Sequence, residues 1–143
     1  MGLKQIDHGS TEYREMVDLR NRILRQPLGL TFTDEELQQE KDDILIAAYD
    51  DEDMVGCCML VKQDDKTLRL RQMAVHESVQ GKGIGASILQ FAENLAHDRG
   101  YACIRMHARD SALDFYRKLG YQVKGDVFLE VNLPHHIMEK ELR

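Results

Sequence analysis

The chain has 143 residues, of which 43% are apolar and 31% charged, so it predicts a single globular domain over residues 1–143. The formal net charge of −6 argues against a nucleic-acid-binding protein, which normally has a basic face. No apolar run approaches the roughly 20 residues of a membrane span, and no signal-peptide pattern is seen. Three cysteines, an odd number, do not form a disulfide framework, so a reduced, cytoplasmic protein is expected.

The N-terminal part of the sequence predicts a strand followed by a helix. Loose alternation over Leu3–His8 indicates the strand, and Ser10–Pro27 has apolar residues near helical spacing. Arg20, Arg22 and Arg25 lie at close intervals on this helix. That spacing is typical of a solvated face, although contact with an anionic part of a substrate is the alternative.

A short helix and a hairpin come next. Thr33 and Glu36 have the spacing of a capping box, which predicts a short acidic helix over 34–40. Two apolar runs, Ile44–Tyr49 and Met54–Val61, are separated by four acidic residues and are typical of a hairpin with a solvated turn.

The run Thr67–Val75 predicts a strand with a change of phase. Its large apolar residues fall at even positions up to Leu70 and at odd positions from Met73, so the pattern slips near Gln72. A β-bulge would produce this slip, and bulges are frequent beside active sites. A strand end buried on both faces would produce it equally well.

Three glycines in six residues, within Gln80–Gly85, come between this strand and an amphipathic helix predicted over Ile84–Arg99. The first N–H groups of a helix lack internal acceptors, and the helix dipole makes that end positive. The turn is therefore suited to binding a phosphate or pyrophosphate.

The C-terminal part predicts a strand, a helix and closing strands. Strand Cys103–His107 follows a crossover helix, so it should run parallel to Thr67–Val75. Asp110 or Ser111 is expected to cap a helix that ends near Leu119. The closing strands are predicted over Tyr121–Lys124, Phe128–Asn132 and Ile137–Leu142.

Two common glycine-rich schemes fit poorly. An ATP-binding P-loop needs Ser or Thr after its lysine, but Lys82 is followed by Gly83. The dinucleotide fingerprint is matched by Gly81, Gly83 and Ala86, yet His76–Gln80 separates these residues from the strand. A nicotinamide-dependent oxidoreductase is therefore a minor alternative.

A third scheme covers nearly the whole chain. Gln80-x-x-Gly83-x-Gly85 resembles the acetyl-CoA-binding motif of the GNAT superfamily of N-acetyltransferases. Downstream, Ala112-x-x-Phe115-Tyr116-x-Lys118-x-Gly120-Tyr121 resembles the second motif of that superfamily. One departure is Arg109, where many members carry asparagine.

The resemblance implies a mixed α/β fold: a mostly antiparallel sheet with a central, splayed parallel pair, flanked by about four helices. It implies acetyl-CoA as a co-substrate, without a metal. The pyrophosphate would be held by backbone N–H groups of the glycine turn and pantetheine by the main chain of the preceding strand. The cofactor-binding residues implied are Met73, Ala74, Val75, Gln80, Gly81, Lys82, Gly83, Ile84, Gly85, Ala86, Ala112, Phe115, Tyr116 and Lys118.

The same resemblance assigns proton transfers. Tyr116 would act as the general acid that protonates the leaving thiolate, although without the resemblance it would be an ordinary packing residue. A base must also deprotonate the amine. His135 is the first candidate and Glu130 the second, with His135 expected in the loop between the last two strands. The other candidates are His76, Glu77, His107 and His136.

The implied function is direct transfer of an acetyl group to a primary amine of a small molecule or peptide. The alternative is a domain that binds or senses acyl-CoA without catalysis. No nucleic-acid or membrane partner is expected. The acceptor and the oligomeric state are left open, although homodimers paired through edge strands are common in such folds.

Overall fold

The computed structural model describes residues 1–142, which form two compact units. The first unit contains Met1–Val61 and Gln72–Ala92. The second contains Lys62–Arg71 and the chain from Glu93 onward. Two strands and one long helix each contribute residues to both units.

The first unit contains the first two strands, all of the third strand except its last residue, and the N-terminal helices. Helix α1 continues into a π-helical turn and a 3-10 turn, and Gly29 ends this segment in a left-handed conformation. The elements are β1 (Gly2–Ile6), α1 (Thr11–Arg20), the π turn (Asn21–Arg25), the 3-10 turn (Gln26–Leu28), α2 (Asp34–Gln38), β2 (Ile44–Asp50) and β3 (Asp53–Lys62).

The remaining elements complete a mixed α/β fold, as predicted. Strand β4 (Thr67–Val75) and helix α3 (Ile84–Asp98) contribute to both units. The second unit then holds β5 (Cys103–Arg109), a 3-10 turn (Asp110–Ala112), α4 (Leu113–Lys118), β6 (Gln122–Glu130) and β7 (Leu133–Glu141). In the part of the chain that the structure describes, these are seven strands and four α-helices.

The strands follow the order β1-β2-β3-β4-β5-β7-β6. β4 pairs with β5 in parallel, with Thr67–Leu70 opposite Cys103–Met106. The pairs β1–β2, β2–β3, β5–β7 and β6–β7 are antiparallel, which confirms the mostly antiparallel sheet with one parallel pair.

The core of the first unit explains the positions of its elements. Ser10 caps α1 by accepting a hydrogen bond from the Tyr13 amide, and Thr33 and Glu36 form the predicted capping box of α2. The core joins one face of α1 to the strands through Ile6, Tyr13, Met16, Leu19, Leu45, Ala47, Cys57, Met59 and Ala74.

Arg20 corrects the prediction of a solvated arginine face. Its side chain is completely buried and donates two hydrogen bonds of 2.7 Å to the carboxylate of Glu40. Tyr13 Oη donates to the same carboxylate at 2.7 Å, and the Arg20 guanidinium lies 4.4 Å from the centroid of the Phe32 ring. Because these partners lie far apart in sequence, the pattern around Arg20 did not reveal its burial.

Three predictions for the C-terminal part were also wrong. Neither Asp110 nor Ser111 caps α4, because a 3-10 turn precedes the helix, which has Ala112 at its N-cap position. The strands predicted over 121–124 and 128–132 are replaced by one strand, β6 (Gln122–Glu130), whose pairing with β7 shifts register between Lys124 and Phe128. His135 lies within β7 and not in a loop.

The buried Arg20–Glu40 pair generates a stability prediction. We expect Glu40→Ala to lower the free energy of unfolding by about 3–5 kcal/mol, because it leaves a buried guanidinium without its counter-charge. Asp42→Ala removes the same charge from an exposed position and should change stability by less than about 0.5 kcal/mol. Denaturant titration of both variants measures the difference, and equal losses would contradict the prediction.

Candidate functional site

The glycine turn opens α3 as predicted. Gly81 and Gly83 have φ values of 82° and 81°, in the left-handed region that favours glycine, and both are exposed. The first helical bond runs from the Ser87 amide to the Gly83 carbonyl at 3.1 Å, and Ser87 Oγ donates to the same oxygen. Helix geometry therefore leaves the N–H groups of Ile84, Gly85 and Ala86 without an intrahelical acceptor.

Two other residues of the turn have partners within the protein. The Lys82 amide donates to the Val79 carbonyl at 3.3 Å, so this amide supports the turn itself. The Gln80 side chain donates to the Val75 carbonyl at 3.0 Å and ties the turn to the end of β4. The anion-binding capacity is thereby concentrated in the amides at the start of α3.

Gly56 of β3 controls how closely α3 packs in the first unit. A Cβ placed on Gly56 would lie 2.6 Å from Ile88 Cδ1 and 3.3 Å from Ile84 Cγ2. Ordinary van der Waals contacts begin beyond these distances, so the helix approaches the strand where a side chain is missing. The first turn of α3, which carries the unpaired amides, is seated by this contact.

The phase slip in β4 has a backbone cause. Gln72 has a φ of 56°, a left-handed conformation in the middle of a strand. The Cys57 thiol donates to the Gln72 carbonyl at 3.6 Å within the first unit. A non-glycine residue in this region stores strain, which is frequent at functional sites. Of the two explanations left open by the sequence, this conformation favours the backbone irregularity.

The second motif forms α4 in the second unit. Tyr116 is 7% exposed, and its ring contacts those of Phe115 and Tyr121 edge-on at centroid distances of 5.0 and 5.9 Å. Ala112 lies at the N-cap position, whereas Lys118 is exposed in the last turn. The aromatic contacts fix the orientation of the Tyr116 ring.

A hydrogen-bonded anchor holds the chain where it leaves α4. Tyr121 Oη and Lys140 Nζ each donate to the Glu93 carboxylate at 2.9 Å. Lys140 Nζ also donates to the Leu119 carbonyl at 2.8 Å. These contacts bind β7, the end of α4 and the second half of α3 together within the second unit.

Three of the six candidate bases come together in the second unit. His107 Nδ1 lies 3.1 Å from Glu130 Oε1, and His135 Nε2 lies 3.6 Å from Glu130 Oε2. His135 is 3% exposed, whereas the side chain of Glu130 is 41% exposed. The sequence missed a fourth member, Arg69, whose Nη2 lies 2.9 Å from His107 Nδ1.

The charges around Glu130 determine its protonation. Burial tends to raise the pKa of this carboxyl group, but the hydrogen bond from His107 and the positive charges of His107, His135 and Arg69 outweigh burial. The net pKa of Glu130 is lower than its usual value. Glu130 is therefore a carboxylate at neutral pH.

The other candidate bases have partners within their own unit. His136 Nδ1 lies 2.8 Å from Asp110 Oδ1 in the second unit. In the first unit, His76 contacts Ser78 through Nδ1, and Glu77 accepts hydrogen bonds from Arg22. Each of these three side chains therefore already has a polar partner in the protein.

The cysteines are poor nucleophiles. Burial raises the pKa of Cys57 to about 12 and that of Cys58 well above its usual value. Burial also raises the pKa of Cys103, whose thiol donates to Glu139 at 3.8 Å. All three remain thiols at neutral pH, which disfavours a cysteine–histidine mechanism.

A metal-binding cluster and a membrane-crossing helix are both absent from residues 1–142. No group of three or more His, Cys, Asp or Glu side chains in this range is arranged to hold a metal ion. No helix in the same range combines the length and apolarity needed to cross a membrane.

Comparison with known families identifies the fold and the motifs. The model of the acetyltransferase (GNAT) domain matches residues 41–123, more than half of the chain and the range that contains both motifs. The chain belongs to the GNAT acetyltransferase family. The family assignment agrees with the resemblance of Gln80–Gly85 and of the motif around Tyr116 to GNAT motifs.

Individual relatives of this GNAT domain agree with the assignment. It is 32% identical over 108 residues to the uncharacterised N-acetyltransferase YjcF of Bacillus subtilis (strain 168), covering 75% of each chain. Other curated relatives match over a shorter stretch, in which the chain spans about half of their length.

Solved structures share the fold over the full chain. A candidate N-acetyltransferase from Lactobacillus plantarum has a TM-score of 0.87 at 23% identity, with complete coverage of both chains. An aminoglycoside 6'-N-acetyltransferase in complex with coenzyme A has a TM-score of 0.84 at 19% identity, covering 100% of this chain and 98% of that one.

The left-handed residue in β4 of this GNAT domain gives a second prediction. We expect Gln72→Val to lower the free energy of unfolding by about 1–3 kcal/mol, because a β-branched residue is strained at positive φ. Gln72→Asn should be almost neutral, since asparagine tolerates this conformation. Chemical denaturation compares the two variants, and similar stabilities would show that Gln72 does not require a left-handed backbone.

Proposed function

We propose that this protein is an acetyl-CoA-dependent N-acetyltransferase that transfers the acetyl group directly to a primary amine of a small molecule or peptide. The observation that carries the proposal is the exposed turn before α3, where Gly81 and Gly83 adopt left-handed conformations beside three helix-terminal amides. Membership of the GNAT family and neighbours with bound coenzyme A or acetyl-CoA support it.

The first unit offers a binding surface for the diphosphate of the co-substrate. A Cβ at Gly81 or Gly83 would meet no atom within 4 Å, so the backbone of the turn is open. In this proposal, amides within Gln80–Ala86 bind the pyrophosphate, Lys82 adds positive charge, and the main chain of Met73–Val75 pairs with pantetheine. The helix dipole of α3 favours the same anion.

The second unit carries the proposed proton-transfer groups. His135 Nδ1 contacts the Leu133 carbonyl at 2.8 Å, so this nitrogen donates and Nε2 is the atom that accepts a proton. His135, assisted by Glu130, is therefore the proposed base for the amine. Tyr116 is the proposed acid, since a phenol with a reference pKa near 10 can protonate a thiolate of reference pKa near 8.5. Ala112, Phe115 and Lys118 complete the co-substrate contacts that the family resemblance implies.

The location of the enzyme, the charge of its acceptor and its oligomeric state are also proposed. The free cysteines suit a cytoplasmic enzyme, and the net charge of −6 suits a cationic amine acceptor. A homodimer is proposed through β6, which ends the strand order and exposes Val127 and Leu129, with Val131 exposed in the turn that follows.

A turnover assay tests the proposal. The protein is incubated with acetyl-CoA and a panel of aminoglycosides, polyamines and peptides, while thiol release and acceptor mass are monitored. Acceptor-dependent thiol release with a gain of one acetyl group supports the proposal. Coenzyme A binding without any product would favour the non-catalytic acyl-CoA-binding alternative, and binding of a nicotinamide cofactor instead would favour the oxidoreductase.

A substitution in the glycine turn tests the diphosphate site. We expect Gly83→Val to weaken coenzyme A binding at least about tenfold, because a β-branched residue displaces the left-handed backbone that aims the amides. Gly9→Val is the control, since Gly9 has a similar φ of 82° in a different turn and equally open surroundings. Calorimetry with coenzyme A measures both, and unchanged affinity in Gly83→Val would refute the site.

A conservative substitution tests the general acid. We expect Tyr116→Phe to reduce kcat by about 10²–10⁴-fold and to leave coenzyme A affinity nearly unchanged, because only the hydroxyl is removed. Tyr101→Phe, in the segment before β5, is the control. Steady-state kinetics over a range of pH measures the effect, and an unchanged kcat profile would rule out the acid role.

A further inference from the structure

His107 Nδ1 contacts two charged groups that make opposite demands on it. It lies 2.9 Å from Arg69 Nη2, which can only donate, and 3.1 Å from Glu130 Oε1, which accepts when ionised. Nδ1 accepts a hydrogen bond from Arg69 when it carries no proton, and it donates one to Glu130 when it is protonated. Both arrangements bring a positive charge to the same side of Glu130, since Arg69 Nη2 itself lies 3.8 Å from Oε1.

The second carboxylate oxygen of Glu130 has a different environment. His135 Nε2 lies 3.6 Å from Glu130 Oε2, longer than an ordinary hydrogen bond. Because His135 Nδ1 donates to Leu133, the neutral ring presents a lone pair at Nε2. With His135 neutral, two acceptor atoms face each other, and a donor such as an ammonium group would satisfy both. With His135 protonated, the same two atoms form an ion pair, which is the state in which His135 contributes to lowering the pKa of Glu130.

The rings around this pair hold it in place. Phe128 packs edge-on against His107 at 5.1 Å and stacks with His135 at 5.9 Å, measured between ring centroids. His135 is almost fully buried, whereas Glu130 is accessible from solvent. An acceptor can therefore reach the carboxylate while the histidine cannot easily move away.

We infer that Glu130 Oε2 and His135 Nε2 form the seat for the ammonium group of the acceptor, and that Arg69 and His107 are positioning residues that hold the opposite oxygen of Glu130. This inference rests on the proposed function, because it assigns the amine end of that reaction. It defines the acceptor as a cation that donates hydrogen bonds, which suits a protonated primary amine. His135 then receives the proton that the amine loses before attack.

The charged groups facing Glu130 come from three strands. Arg69 lies on β4, and its pKa is lowered by burial and by the charge of Arg71 on the same strand. His107 lies on β5. His135 lies on β7, opposite Arg109 of β5 in the register. Removing the positive charge of Arg69 should raise the pKa of Glu130, so that the carboxylate protonates at a higher pH.

The first experiment follows the Glu130 carboxyl group by carbon-13 NMR in the protein without substrate. We expect Arg69→Gln to move the Glu130 titration upward in pH, and Arg69→Lys, which keeps the charge, to restore most of the wild-type value. Arg105→Gln is the control, because Arg105 pairs with Glu139 in the same unit. If Glu130 titrates identically in wild type and Arg69→Gln, the inference is overturned.

The second experiment uses an amine that the wild-type enzyme acetylates. We expect Arg69→Gln to raise KM for the amine about tenfold, as for loss of a well-oriented charged hydrogen bond, with a smaller change in kcat. The acid limb of kcat/KM should move to higher pH together with the Glu130 titration. If Arg69→Gln shifts the Glu130 titration but leaves KM and the acid limb of kcat/KM unchanged, the role of Arg69 at the acceptor site is overturned.

The two experiments separate the inference from the function on which it rests. If no amine in the panel is acetylated, the proposed function fails, and the ammonium seat fails with it. The NMR titration then still decides whether Arg69 controls the charge of Glu130. If amines are acetylated but Arg69→Gln behaves like Arg105→Gln in both experiments, only the inference fails.

Discussion

The start of α3 imposes the constraint on which the proposed co-substrate site depends. A helix cannot satisfy its own first amides, and at Ile84, Gly85 and Ala86 these groups follow a turn with little side-chain cover. Gly81 and Gly83 turn the backbone through left-handed conformations, and the Gln80 side chain ties the turn to β4. An anion is the partner that best completes this arrangement.

In the second unit, the group with an incomplete set of hydrogen-bond partners is a carboxylate, so its charge is negative. Glu130 has one oxygen held by neighbouring cations and one that faces a fixed histidine. A carboxylate surrounded on all sides by donors would be a structural ion pair and nothing more. The asymmetry around Glu130 is the physical basis of the chemical role proposed for it.

Local rules accounted for much of the fold from sequence. The capping box at Thr33, the hairpin between β2 and β3, and the glycine turn each depend on residues within a few positions, and all three are present. Nearly all of the proposed co-substrate residues belong to such local motifs. The family resemblance supplied the sheet type, mostly antiparallel with a central parallel pair, which local patterns alone do not fix.

Contacts between distant residues could not be predicted in this way. Arg20 finds Glu40 twenty residues away, and Arg69 finds His107 thirty-eight residues away. Arg22, in the π turn, is exposed as expected although it pairs with Glu77, fifty-five residues away. The importance of Gly56 was not visible in the sequence either, since it lies in an atom that this residue lacks. The missing Cβ lets Ile84 and Ile88 of α3 approach β3 closely, and a methyl group added there would lie 2.6 Å from Ile88 Cδ1, so the side chain that follows the amide-bearing turn would have to move.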